Sequence, residues 1–222
     1  MPSITVENYL KQIYQQEQDH PEGQLVPVGR VAAAMGVTPG TGTSMVKALA
    51  EANLVRYEPR GGVRLTEAGT SLALAVLRRH RLIELFLVQI LKLDWSEVHD
   101  EAEHLEHAIS DKVLERIDTL LGHPDTDPHG DPIPPKDGHP ASLDHLISLI
   151  DCLPHQPLAV ARIVDQDPTF LQFVDLHGLA PGAEVVVAQH STAADAVVID
   201  RPGQPPVTLG STAAAKIMVR KM

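Results

Sequence analysis

Residues 99–107 read His-Asp-Glu-Ala-Glu-His-Leu-Glu-His, and residues 80–84 read His-Arg-Leu-Ile-Glu. On a helix, positions spaced i, i+3, i+4, i+7 and i+8 share one face. His99, Glu103, Glu106 and His107 obey that spacing, so the second stretch of helix presents two imidazoles and two carboxylates together. His80 and Glu84 form a further i, i+4 pair on the preceding helix. If the two helices pack antiparallel, all six groups converge. Carboxylates that close repel unless a cation lies between them. The competing reading is a solvated, salt-bridged helix. His104 falls on another face, where solvent is the default. No thiolate or thioether occurs in these clusters. Hard oxygen donors with imidazoles suit Mn²⁺ or Fe²⁺, although Zn²⁺ and Ni²⁺ bind such sets more tightly, so selectivity must come from geometry and supply.

The charge of the whole chain supports a cation. Its 222 residues carry a net charge of −11, but unevenly. Residues 1–81 hold nine Lys/Arg against seven Asp/Glu, and residues 82–151 hold four against sixteen, with seven of the twelve histidines. A uniformly acidic protein repels DNA, whereas a near-neutral head on an acidic middle need not. Hydrophobic residues make up 43% and aromatics 3%. The cores are therefore Leu, Val, Ile and Ala, and a single-strand binding platform of stacking rings is disfavoured. The lone cysteine, Cys152, excludes a disulfide framework and a cysteine zinc site. No apolar run approaches about 20 residues, so no membrane span is expected. The N-terminus lacks a signal-peptide pattern, which predicts a cytoplasmic protein.

Upstream of the clusters the pattern is helix, turn, helix, hairpin. Residues 4–18 place Ile4, Leu10, Ile13 and Tyr14 at helical spacing. A turn cluster follows at 20–23. Pro27 precedes a helix over 28–35, interrupted by Gly36. Thr38-Pro39 reads as a cap and first helical position for a third helix, to about Asn53. Two extended runs, 54–57 and 63–66, flank Glu58-Pro59-Arg60-Gly61-Gly62. This is the order of a winged helix-turn-helix, whose third helix enters the major groove. Thr38, Pro39, Thr41, Thr43 and Ser44 are small groups able to approach base edges and phosphates. Lys47, with Arg60 and Arg64 of the wing, adds phosphate charge. Helices are also expected over 67–91, 94–108 and 111–121.

Residues 122–140 contain six prolines among Gly, Asp and His, which predicts a linker or binding loop without helix or strand. From 157 onward five β-type runs, separated by turns, amount to a small barrel. The fold class is mainly α with a small β part, in three segments: a winged helix-turn-helix over 1–70, a helical segment with the Pro/Asp/His loop over 71–140, and a linker with the β-barrel over 141–222.

The string RRHRLIELFL followed by VHDEAEHLEHAISDKV, behind a winged head, resembles the diphtheria toxin repressor family of metal-dependent transcriptional regulators, over nearly the whole chain. The resemblance implies a dimerising, metal-binding middle, with its two-fold interface over 94–121, and an SH3-like last domain. It also implies a primary metal site of Asn8, Glu103, Glu106 and His107. Iron-responsive members carry methionine and cysteine at the positions of Asn8 and Glu103, and manganese-responsive members aspartate and glutamate. Glu103 thus points to manganese, while Asn8 departs from both. Lys11 stands where some short members have a glutamate ligand. A second site is implied by His80, Glu84 and His99, with Asp127 and His129 from the loop. Asp165 is the favoured acidic ligand from the last domain, and another correspondence puts Gln166 and Thr169 there. Two Mn²⁺ (or Fe²⁺) sites per subunit, a homodimer, a double-stranded palindromic operator of metal-homeostasis genes, and no organic cofactor are the resulting expectations.

An enzyme is the weaker reading. Glu101-Ala102-Glu103-His104 has the Glu-x-x-His form of di-iron bundles, but its companion, Glu17 to His20, ends at a turn. A winged-helix regulator sensing a small organic ligand needs an apolar pocket, for which aromatics are scarce.

Overall fold

The computed structural model describes residues 3–18, 23–136, 138, 140–143 and 145–222. Residues 20–22 of the turn expected at 20–23, His20 of the Glu-x-x-His companion among them, and His139 lie outside them. Contacts divide the chain into two compact units. One comprises Met1–His80, Glu106–Ala108 and Pro134–His139, and the other Arg81–Leu105, Ile109–Ile133 and Pro140–Met222.

The first unit contains α1 (Ile4–Gln18), α2 (Val28–Ala34), α3 (Pro39–Glu51) and the antiparallel pair β1 (Val55–Glu58) and β2 (Gly62–Leu65). Helix α4 (Glu67–Gln89) begins in this unit and continues into the second. Thr38 caps α3 as expected, its Oγ1 accepting from Thr41 N at 3.2 Å, with Pro39 at the first helical position. Gly42 lets α2 and α3 cross closely: a Cβ there would lie 2.7 Å from the Ala32 Cβ. The core gathers Leu10, Ile13, Val31, Val46, Leu49 and Val63 with the far side of the hairpin. Each such fully buried aliphatic side chain contributes about 1.5–3 kcal/mol.

In the second unit α4 packs Leu82 and Leu85 against Leu114 and Ile117 of α6 (Asp111–Leu120). Its Ile83 and Leu87 pack against Val98 and Ala102 of α5 (Val98–Leu105). Helix α5 is shorter than the periodicity predicts. It stops at Leu105, so Glu106 and His107 stand in a turn rather than on its face. The reason is local: Ser110 caps α6 in an extended conformation, accepting from Val113 N, and the chain must leave the helix to reach it.

The tail is a six-stranded antiparallel sheet in the order β3 (Ile147–Ser148), β8 (Ile217–Lys221), β4 (Pro157–Ile163), β5 (Glu184–Ser191), β6 (Ala196–Arg201), β7 (Gln204–Gly210). Register shifts at Val160/Arg162, Val187/Gln189 and Ile199/Arg201 bend it, as bulges do. Two helices absent from the sequence reading, α7 (Pro168–Leu176) and α8 (Ser211–Ala215), cover its core of Leu158, Val160, Val187, Ile199 and Val219.

Candidate metal centres and nucleic-acid interface

In the first unit a carboxylate sits in a knot of bases. Glu106 is fully buried. Lys11 Nζ lies 2.7 Å from its Oε1 and 3.0 Å from its Oε2, and His80 Nδ1 lies 2.7 Å from Oε2. Burial pushes the Glu106 carboxyl up, but the His80 hydrogen bond and the Lys11 ammonium outweigh it and hold the group below its ordinary range. His107 Nε2 is 3.2 Å from Glu106 Oε1 without making a hydrogen bond, while its Nδ1 lies 2.6 Å from Glu7 Oε2. Asn8 Oδ1 is buried and, like His107 Nε2, has no hydrogen-bond partner among the described residues. Such orphaned atoms are costly, and both belong to residues expected to ligate a metal.

The second unit holds another donor group. Ligand atoms of Glu84, Asp127 and His129, all buried, lie within 4.8 Å of one another. Asp127 Oδ1 accepts from His129 N at 2.8 Å and Asp131 N at 2.9 Å, and its other oxygen, 3.6 Å from Arg81 Nε, has no hydrogen-bond partner among the described residues. His129 Nε2 lies 3.0 Å from Trp95 O, and its Nδ1 has no hydrogen-bond partner among the described residues. Burial, then the Asp131 and Glu84 charges, push the Asp127 carboxyl well up. A cation among these atoms would relieve that repulsion. His99 Nδ1 lies 3.2 Å from Glu84 Oε1, and its Nε2 3.9 Å from Glu103 Oε1. His104 is exposed, with Nδ1 near Asp100 O.

The loop carrying Asp127 is a built cradle. Asp131 takes Arg162 Nη2 at 2.9 Å and Arg81 Nη2 at 3.3 Å on Oδ1, and Gln166 Nε2 at 3.0 Å on Oδ2. Gly130 passes so close to β4 that a Cβ would lie 2.0 Å from Ala161 O. Asp165 is placed elsewhere, accepting from Lys216 Nζ at 2.6 Å and Asp167 N at 3.0 Å. Gln166 is the residue of that stretch that reaches the loop.

Of the residues expected at DNA, Thr38, Pro39, Thr41, Ser44, Lys47 and Arg60 are exposed, and Thr43 is half-buried. Thr43 and Ser44 hydroxyls donate back to Pro39 O and Gly40 O. Arg64 is half-buried and donates to Gln24 O at 3.0 Å. Sequence reasoning missed Glu7, Arg81, Asp131 and Arg162. The Asp127-x-His129-x-Asp131 spacing was the available signal for the loop. For Glu7 it was the i, i+4 pairing with Lys11 on a helix whose neighbouring positions are core.

Fold and clusters together define a winged-helix protein with candidate cation centres. Residues 1–63 match the iron dependent repressor N-terminal DNA binding domain, 66–135 its metal binding and dimerisation domain, and 147–221 the FeoA domain. The iron-dependent repressor IdeR of Mycobacterium tuberculosis (strain ATCC 25618 / H37Rv) is 33% identical, covering 98% of this chain and 97% of that protein. A solved structure of a manganese-dependent transcriptional repressor in complex with manganese is 38% identical with a TM-score of 0.86, covering 98% of this chain and 100% of that one. The structure of the manganese regulator SloR is 30% identical with a TM-score of 0.74, covering 98% of each chain. The chain belongs to the iron-dependent repressor family of metal-dependent transcriptional regulators, and not to a family of enzymes. Among the described residues no helix is long and apolar enough to cross a membrane.

Proposed function

We propose that this protein is a manganese-activated, cytoplasmic repressor that binds palindromic operators of metal-homeostasis genes as a homodimer. The observation that carries this reading is the set of buried donor atoms without hydrogen-bond partners: Asn8 Oδ1 and His107 Nε2 in one unit, Asp127 Oδ2 and His129 Nδ1 in the other. All are hard oxygens or imidazole nitrogens, the donor set of Mn²⁺ rather than of a thiophilic ion. Asn8, Glu106 and His107 would hold the primary ion. Glu84, Asp127 and His129, with His99 near Glu84, would hold the second. The ion supplies positive charge that offsets the gathered carboxylates. The chain's own contribution is to draw α1, which carries Glu7, Asn8 and Lys11, to the 106–108 turn.

Ion binding that favours the DNA-competent arrangement raises operator affinity by the same factor that DNA raises ion affinity. Thr38, Thr41, Ser44 and Lys47 then face the duplex from α3, with Arg60 on the wing. The exposed Ile90, Leu91, Leu105, Val113 and Leu120 supply apolar surface for the two-fold interface. The 33% identity to an iron-dependent repressor supports Fe²⁺ as a second activator. Operator binding followed by fluorescence anisotropy tests both. Mn²⁺ should raise affinity at least tenfold over chelated protein, with Fe²⁺ compared under anaerobic conditions. Equal affinity in chelator and in both ions overturns the reading.

A further inference from the structure

We propose that Lys11 is the resident cation of the primary centre, an ammonium that holds Glu106 and competes with a divalent ion for it. The proposal rests on the repressor reading and deepens it.

A fully buried carboxylate without a partner is strongly unfavourable. Glu106 is 0% exposed and Lys11 only 6%, so both have left water and they meet there as an ion pair. A carboxylate offers about four lone-pair directions. Lys11 takes one on each oxygen, and His80 Nδ1 another on Oε2. The direction left open is on Oε1, where His107 Nε2 stands 3.2 Å away outside hydrogen-bond geometry. An ion bound there with Asn8 Oδ1 and His107 must tolerate an ammonium 2.7 Å from its own ligand oxygen, or displace it. Like charges at such distances repel strongly where water is excluded.

Lys11 therefore does two opposed things. When ions are scarce it keeps Glu106 from standing as an uncompensated buried charge. When ions are present it weakens their hold, raising the concentration at which the centre fills. Both effects require the positive charge, because a neutral side chain of the same length would neither neutralise Glu106 nor repel an ion. Arginine retains the charge, though its planar fork distributes it differently.

The test titrates Mn²⁺ into the full-length protein by calorimetry. The binding phase lost in Glu106→Gln identifies this centre. Lys11→Met should strengthen that phase at least tenfold, and Lys11→Arg should leave it within about threefold of wild type. Without ion, Lys11→Met should melt lower than wild type, and Mn²⁺ should raise its melting temperature more. An unchanged or weaker phase in Lys11→Met overturns the proposal. If Lys11→Met does not fold alone, folding on Mn²⁺ addition, read by circular dichroism, supports it, and failure to fold in saturating Mn²⁺ overturns it. A wild-type protein with no Mn²⁺ phase sinks the repressor reading as well. A normal wild-type phase with no change in Lys11→Met sinks only the role of Lys11.

Discussion

His107 Nδ1 lies 2.6 Å from Oε2 of Glu7, tying the turn after α5 to the first turn of α1 across 100 residues of sequence. The contact fixes the imidazole so that Nε2 is the nitrogen left for another partner. Arg79 Nη1, 3.8 Å from the other Glu7 oxygen, steadies the carboxylate. Carboxylates that orient a ligating imidazole typically contribute 10–100-fold to metal affinity. Glu7→Ala should therefore raise the Mn²⁺ concentration for half-maximal operator binding by about tenfold or more, with the Mn²⁺ stoichiometry preserved. An unchanged half-point would show that Glu7 holds His107 for packing alone.

Asn8 presents a buried oxygen with no hydrogen-bond partner and no charge. Asn8→Asp keeps the shape and adds a negative charge on α1, between Glu7 and Lys11, which reach the 106–108 turn. Calorimetry should show tighter Mn²⁺ binding in the variant, by about tenfold for each 1.4 kcal/mol of added attraction. The metal-free variant should melt lower, because the new carboxylate takes the place of a buried atom that has no hydrogen-bond partner among the described residues. Equal or weaker Mn²⁺ affinity would remove Asn8 from the ligand set.

Most of the fold was legible because its signals are local. Thr38-Pro39 marks the start of α3, and apolar spacing marks α1 and α4. The same cap-and-proline signal stands at Asp167-Pro168, where Asp167 Oδ1 accepts from Thr169 N and Phe170 N to start α7. The signal is weak there because α7 is only nine residues long and lies among strand-like runs. The donor residues were legible as residue types, and the family resemblance supplied their grouping; the local backbone that carries Glu106 and His107 was not legible. Helical periodicity put Glu106 and His107 on one face with His99, whereas the cap of α6 places them in a turn. The stretch over 122–140 reads as a linker or binding loop, and its burial over 127–134 is not visible in its composition. That part is buried because Asp127 and Asp131 find partners inside the protein, which depends on Arg81 and Arg162, distant in sequence.

Asp131 joins three elements: α4 through Arg81, β4 through Arg162, and the approach to α7 through Gln166. Its backbone also holds Asp127, accepting from Asp127 N at 3.0 Å and donating to Asp127 Oδ1 at 2.9 Å. Removing the carboxylate leaves two guanidinium groups without their shared anion. Breaking a buried pair in this way costs about 3–5 kcal/mol. Asp131→Ala should lose stability of that order, toward the low end because Arg162 keeps 27% of its side-chain exposure. Urea denaturation measures it, and a loss below about 1 kcal/mol would place Asp131 among ordinary surface pairs.

Asp165 and Lys216 give the tail a defined pH response. The Lys216 hydrogen bond, then that of Asp167 N, holds the Asp165 carboxyl below its ordinary range, against a smaller opposing effect of burial. As pH falls, the unfolded chain therefore takes up this proton first. The stabilisation is fully present above the unfolded value, near about 3.9, and is lost as pH falls through the lower folded value. Lys216→Met should bring the Asp165 titration, followed by carboxyl ¹³C NMR, back toward about 3.9. The pH-dependent loss should be small, under about 1 kcal/mol, because both side chains are about one-third exposed. Lys216 Nζ also stands 5.0 Å from the Phe170 ring centroid, so the substitution removes a cation–π contact whose loss does not vary with pH in this range. The stability gap between wild type and Lys216→Met should thus narrow below pH 4 without closing. A gap independent of pH, with Asp165 titrating the same in both proteins, would mean that Lys216 does not set its ionisation.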